Sequence, residues 1–489
     1  MSLFHALAKV DALAAGRAQP VASVRHVHLA DRPLVLIPLA LAGETAAPLA
    51  MMLGTDRAEP VLLVVPQPRD RALRAEFLAR LTEVVTGLVG PLGATPELPD
   101  DGGAPDAPDE AQGGRAPDGG PDGATPDGTT PDRTVPDGPV PDIAAPGPMD
   151  PVSGGGDAAG AGDLPDVQVV VPNRAGIDFL RLLGRATRFR DGDRIGRWFT
   201  FLADRADHPD SAVLLAATDA LTAHWATGQS AVEDAHLAAV LSWIDGRPGG
   251  EEVTAGPQTD PEFDNHTLAP LVDAYDAGDP EAVPQITKAL RDLLEPAWAQ
   301  VWHAVDVLRA LPEASSVPER WLWDVSEYAG FVAQYAPQPV RDSPVAAAAR
   351  LDRLERTQAR VEAQRAFDDP LVMAGHQLTG AAFRCTVVAT EPERREGRKL
   401  RPRITVEADR PVHLRGTVTS PARRAQAAEV TEVDGLTVVL TLTSGMGRGS
   451  APAAGTVPEV GEVLVYTSLS EAFQRPAAFP DETPWTHGG

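Results

Sequence analysis

Leu3, Leu7, Val10 and Ala14 fall on one helical face, with Ser2 as an N-cap and Gly16 as the stop, and this spacing predicts a short opening helix. The period then changes. Val24 to Leu29, Leu34 to Ala42, Ala47 to Leu53 and Val61 to Val65 are short apolar runs bounded by turn residues, and each reads as a strand. Asp31-Arg32-Pro33, Gly43-Glu44-Thr45 and Thr55-Asp56-Arg57 supply the turns, and connections this short favour antiparallel neighbours. The helical period returns from Asp70 to Leu88, where Leu73, Phe77, Leu81, Val84 and Leu88 form one stripe.

Patterning stops near residue 98. Pro-Asp recurs every five residues from Pro121-Asp122 to Pro141-Asp142, and no aromatic residue occurs between Phe77 and Phe179. Proline removes a backbone donor, and so little apolar surface cannot offset an ordering cost of roughly 1–2 kcal/mol per residue. Residues 98–165 are therefore expected to be a disordered acidic tether. Residues 97–166 hold sixteen acids against Arg115 and Arg133, so they carry about half of the net charge of −26.

Val167 to Val171 reads as a further strand, followed by a helix near Ala175. Everything after it reads as helix, so the strand is expected to return to the N-terminal sheet, with the tether as an insertion. Residues 196–370 are expected to be all-α, with seven of eight tryptophans packed between helices and Ser343-Pro344 starting a solvated or partner-facing helix. From 380 to 470 the period becomes two. Leu436, Val438, Leu440 and Leu442 alternate behind an Asp434-Gly435 turn. With Phe383 to Thr390, Arg403 to Ala408, Val412 to Val418 and Val463 to Ser468, they give five or six strands of a small barrel. This strand pattern resembles the accessory β-barrels of some helicases, over less than a quarter of the chain and with no shared motif. The expected class is α+β and multi-domain: a mixed domain of 1–97 plus 166–195, the tether 98–165, an all-α region 196–370, a barrel 380–470 and a flexible tail 471–489.

One cysteine, Cys385, excludes an intramolecular disulfide and fits a reducing cytoplasm; in an apolar strand it reads as inert. Residues 1–16 lack the form of a secretory signal, and no run reaches the roughly 18–20 uninterrupted apolar residues of a membrane span, Leu34 to Leu53 being broken by Pro38, Gly43, Glu44 and Pro48. Richness in Ala, Gly, Pro and Arg points to a GC-rich bacterial genome.

Catalytic constellations are scarce. His26 and His28, on one face of a strand, have metal-ligand spacing but no evident further ligands. Asp204, Asp207, His208 and Asp210 cluster at a helix end, where capping also collects such residues. Glu44, Asp56, Asp70 and Glu76 are the carboxylates that would serve a metal-dependent hydrolase or nuclease. Ser444 to Ser450 is glycine-rich but lacks the Gly-Lys-Ser/Thr ending of a phosphate loop, and reads as a flexible connection. No cofactor or metal site is expected.

Two basic patches remain. Arg181, Arg185 and Arg188 share a helix face opposite Ile177, Leu180 and Leu183. In the barrel, Arg384, Arg394, Arg395, Arg398, Lys399, Arg401, Arg403, Arg410, Arg415, Arg423 and Arg424 exceed the acids between them by six. Arginine's planar fork suits phosphate. The expected function is thus a non-enzymatic cytoplasmic accessory protein on a nucleic-acid-processing machine. Its candidate contacts are Arg394, Arg395, Arg398, Lys399, Arg401, Arg403, Arg181, Arg185 and Arg188, with a protein partner and no membrane. The rivals are the hydrolase and a protein-binding scaffold.

Overall fold

The opening helix, α1 (Leu3–Ala15), forms where its period places it, with its stripe of larger apolar residues outward. Leu7 is 48 % and Val10 61 % exposed, whereas Ala8 and Ala12 are buried. The small-residue face allows close approach to Val21 and Ala226, and the larger residues are left outside. The computed structural model describes residues 3–44, 47–93, 167–188, 194–249, 256–333, 343–447 and 449–479. Residues 1–95 and 164–489 belong to one unit, and the expected tether lies outside the described residues.

β1 (Leu34–Ala40) is buried at every position, so both of its faces need cover. It is central in a five-stranded sheet with β2 (Pro48–Gly54), β3 (Val61–Val64), β4 (Val169–Val171) and β5 (Leu214–Ala216), ordered β3-β2-β1-β4-β5. The short turns give antiparallel β1–β2 and β2–β3 pairs, as expected. β4 returns to this sheet parallel to β1, with Leu34 opposite Val169. Val24 to Leu29 is not a strand; it is an irregular segment with one bridge, Arg25 to Glu313.

Leu34, Leu36, Met51 and Leu53 face α2 (Arg71–Val89), α3 (Arg174–Thr187) and α4 (Arg194–Arg205) through Phe77, Leu81, Leu180 and Trp198. Asp70 caps α2 by accepting from the Ala72 and Leu73 amides. α3 and α4 cross closely because Gly184 and Gly196 lie at the contact. A Cβ on Gly196 would sit 2.2 Å from Thr187 Oγ1 and 2.8 Å from the Arg188 amide nitrogen.

Val35, Ile37, Leu39 and Met52 point to the opposite face. They meet α5 (Ala217–Thr222), α6 (Leu237–Ile244) and the long α7 (Ala282–Arg309), whose Ile286, Leu290, Leu294 and Trp298 lie on this core. Residues 196–370 are therefore not wholly helical: β5 extends the N-terminal sheet as the neighbour of β4. Ala212 to Ala217 (AVLLAA) has the composition of a helix, and tertiary pairing overrides that preference.

α8 (Val317–Ala333) adds Tyr328 to the first core. α9 (Pro344–Asp368) starts at the Ser343 cap and is buried only in its last third, at Val361, Ala363, Ala366 and Phe367. α10 (Pro370–Thr379) follows after a sharp elbow at Asp369. Phe367 and Met373 of this elbow pack on Ala382, where the barrel begins.

The barrel is closed, with six antiparallel strands: β6 (Ala382–Glu391), β7 (Arg403–Ala408), β8 (Gly416–Thr419), β9 (Ala427–Asp434), β10 (Thr437–Leu442) and β11 (Val463–Thr467), ordered β7-β10-β9-β8-β11-β6. Gly435 takes φ +61° in the expected hairpin turn. Phe383, Val406, Val418, Leu440 and Leu464 fill the interior. Among the described residues no helix is long and apolar enough to cross a membrane.

Candidate nucleic-acid interface

Between β6 and β7 the chain leaves the barrel as a two-stranded ribbon. Arg395 pairs with Leu400 and Glu396 with Lys399, which leaves Gly397-Arg398 as a two-residue turn. Such a turn needs positive φ, and Gly397 has +61°. The base of the ribbon is fixed by the Arg401 amide donating to Arg394 O at 2.9 Å and Arg401 Nη1 donating to Thr443 O at 2.8 Å. Arg395 donates to the Ser450 carbonyl.

The glycine-rich segment, expected to be a flexible connection, is packed at two of its described residues, Gly445 and Met446. Met446 is buried in the barrel core, and Gly445, with φ +80°, lies so close to the segment just before β9 that a Cβ would meet Ala425 O at 2.8 Å.

The basic residues separate by partner. Arg384 pairs with Asp409 at 3.3 Å, Arg394 with Glu396 at 3.3 Å, Arg403 with Glu432 at 2.6 Å and Arg423 with Glu462 at 3.0 Å. Arg424 reaches both Asp368 and Glu471, which ties the barrel to the elbow. Arg395, Arg398, Lys399 and Arg401 have no carboxylate within 4.0 Å among the described residues. Arg395, Arg398 and Lys399 are also exposed.

The α3 patch does not act as one surface. Arg181 is half-buried, donates to Asp207 at 2.9 Å and to Ala203 O at 3.0 Å, and so ties α3 to α4. Arg185 is exposed, whereas Arg188 is half-buried. Arg174 also pairs with Asp207, at 3.0 Å. Burial opposes the Asp207 charge, but the bond from Arg181 prevails and its pKa is lowered. Burial raises that of Asp204. Asp210 turns to Arg360 at 3.5 Å, so the acidic cluster is divided among three arginine contacts.

The other candidates are likewise committed elsewhere. Asp70 is a helix cap, Asp56 caps its own turn at the Ala58 amide, and Glu44 faces Arg69 at 3.9 Å. Glu76 lines a groove with Phe77 and Arg80. His26 and His28 both border a cavity of about 20 Å³ beside Asp210 and Ser211, and His28 stacks on Trp321 at 4.1 Å. Among the described residues no three His, Cys, Asp or Glu side chains are grouped to hold a metal ion. Burial pushes the Cys385 thiol up to about 12, in keeping with an inert residue.

A buried polar junction went unread in the sequence. Asp369, 0 % exposed, accepts from the Ser23 amide at 2.6 Å, Ser23 Oγ at 2.7 Å, the Leu371 amide at 2.8 Å and His26 Nε2 at 3.2 Å. Burial disfavours its charge, but these bonds hold the carboxyl well below the usual range. His224 Nδ1 donates to Ala220 O at 2.6 Å, leaving Nε2 to accept the His26 amide at 2.9 Å. Arg320 then donates to His26 O, Ser316 Oγ and Gln364 Oε1.

Serine, histidine and aspartate meet here without forming a nucleophilic triad. Ser23 Oγ donates to the carboxylate, not to an imidazole that would take its proton. The junction instead fastens the elbow between α9 and α10 to the segment after α1. Its one sequence cue is Asp369-Pro370, a helix-start signature. No protein-family model matches the chain, and neither the curated proteins nor the solved structures provide a match.

Proposed function

We propose that the protein is a non-enzymatic accessory factor whose barrel ribbon contacts the phosphate backbone of a nucleic acid. One observation carries this reading: Arg395, Arg398 and Lys399 stand exposed on a protruding turn without carboxylate partners, while Arg384, Arg394, Arg403, Arg423 and Arg424 are ion-paired. A neighbouring carboxylate offsets part of a cation's attraction for phosphate, so the paired arginines contribute less than the unpaired ones. The interface is thus narrower than the basic composition implies, and Arg181, Arg394 and Arg403 are assigned to structure. Contacts of this type position a protein on a backbone without reading its sequence.

Fluorescence anisotropy with full-length protein and random-sequence single- and double-stranded oligonucleotides at low salt tests the assignment. Alanine at Arg395, Arg398 and Lys399 together is expected to weaken binding clearly at low salt while leaving a measurable remainder, and Arg384→Ala to leave it unchanged. Equal losses in both variants would show that general surface charge, not the ribbon, is responsible.

A further inference from the structure

A cavity of about 540 Å³ lies beside the buried junction and shares no lining residue with the barrel ribbon. Helix α1 contributes Phe4 and His5, α9 contributes Gln358, Glu362 and Arg365, and α10 contributes Val372 and His376. Val21, Thr222 and Ala223 complete the wall. Its volume is that of a pocket for a small organic molecule, for which the usual range is roughly 300–1,000 Å³.

Arg365 is the unusual member. Its guanidinium makes one hydrogen bond, Nη2 to Ala223 O at 3.2 Å, and its Nε is buried with no partner among the described residues. Neither of the two carboxylates near it bonds to it among the described residues. Asp369 accepts from Ser23, His26 and Leu371, and Glu362 faces His376 Nε2 at 3.9 Å. Burial lowers the Arg365 pKa, the mark of a cation deprived of water without a close counter-ion. Burial likewise lowers His5 and His376, which disfavours their charged forms.

We propose that this cavity binds a small organic carboxylate, its carboxyl on the Arg365 fork and its apolar body against Phe4, Val21 and Val372. A planar carboxylate can accept two parallel hydrogen bonds from a guanidinium, which matches the donors that Arg365 leaves unused. Thr222 and Gln358 stand at the same wall as further polar contacts. Glu362 is exposed to solvent, so water screens its repulsion of an entering anion.

Titration calorimetry on the full chain, with benzoate, octanoate, benzyl alcohol and inorganic phosphate as probes, tests the site. Benzoate or octanoate should bind with a Kd of about 1 mM or tighter, while the neutral alcohol binds at least tenfold more weakly. Arg365→Gln should weaken carboxylate binding about tenfold or more. Val372→Trp, which fills the cavity and keeps the guanidinium, should abolish it even if Arg365→Gln does not fold. Arg398→Ala, on the distant ribbon, should change nothing. Phosphate binding as tightly as the carboxylates would overturn the apolar half of the proposal. Absence of carboxylate binding at about 10 mM, or binding indifferent to Val372→Trp, would overturn the site itself.

Discussion

Replacing Asp369 by alanine should be among the most damaging single changes in this chain. The carboxylate is fully buried and takes strong bonds from the Ser23 amide and hydroxyl, the Leu371 amide and His26 Nε2. These losses are unequal. Ser23 is exposed and the Leu371 residue half-buried, so water can replace much of what their donors lose. His26 is 5 % exposed, and its Nε2–H would be left in a dry site.

One sealed orphan donor costs about 1–3 kcal/mol, and loss of the charge-assisted bonds and the α10 cap adds a comparable amount. The sum is about 3–5 kcal/mol, the range found when one partner of a buried pair is removed. Asp369→Asn keeps the shape and one acceptor, and should cost about half as much. Urea unfolding followed by tryptophan fluorescence and by circular dichroism reads both values. A loss below about 1 kcal/mol for Asp369→Ala would refute the view that this junction fastens the elbow.

The same junction makes the fold acid-sensitive above the carboxylate range. Burial lowers His224 to about 4 and also lowers His26, so between about pH 6.5 and 4 the unfolded chain binds more protons and stability falls as pH falls. His224 alone contributes a loss of about 3 kcal/mol across that window; Asp369, whose folded pKa is depressed, adds its own only below about pH 4. A flat stability profile from pH 7 to 5 would contradict this. Gly196→Ala drives a Cβ into Thr187 and the Arg188 backbone and should cost about 1–3 kcal/mol, whereas Gly87→Ala, in a helix with nothing within 4 Å, should stabilise by about 0.5–1 kcal/mol. Calorimetric melting of both variants checks the opposite signs. Deleting residues 99–163, which offer no aromatic side chain to a core, should leave the melting temperature within a few degrees of wild type and should tighten nucleic-acid binding by removing acidic charge.

Legibility in the sequence followed the range of the interaction. The barrel was readable because alternation at 436–443 and one Asp-Gly turn are local signals, and Ser343 and Asp70 announced their helices in the same way. Val169–Val171 could be assigned to the N-terminal sheet by elimination, but its second neighbour Leu214–Ala216 could not, since three residues carry no period. The orientation of α1 was not legible, since hydrophobicity favours Leu3 and Leu7 while packing selects the alanines that permit close contact. Composition showed the arginine excess but not which arginines were already paired: Arg403 meets Glu432 from 29 positions away. The junction of Ser23, His26, His224 and Asp369 spans more than three hundred residues and has no motif.

The central claim, phosphate contact through the ribbon, is tested most directly by the salt dependence of nucleic-acid binding. Each neutralised phosphate releases counterion, giving a log–log slope near −0.7 per contact on single strands and −0.9 on duplex. Binding constants of full-length wild type and of the Arg395→Ala, Arg398→Ala, Lys399→Ala triple variant would be compared from about 25 to 200 mM salt. The account predicts a wild-type slope steeper by about two units than that of the variant, with no preference among sequences. Equal slopes, or no wild-type binding at the lowest salt, would contradict it.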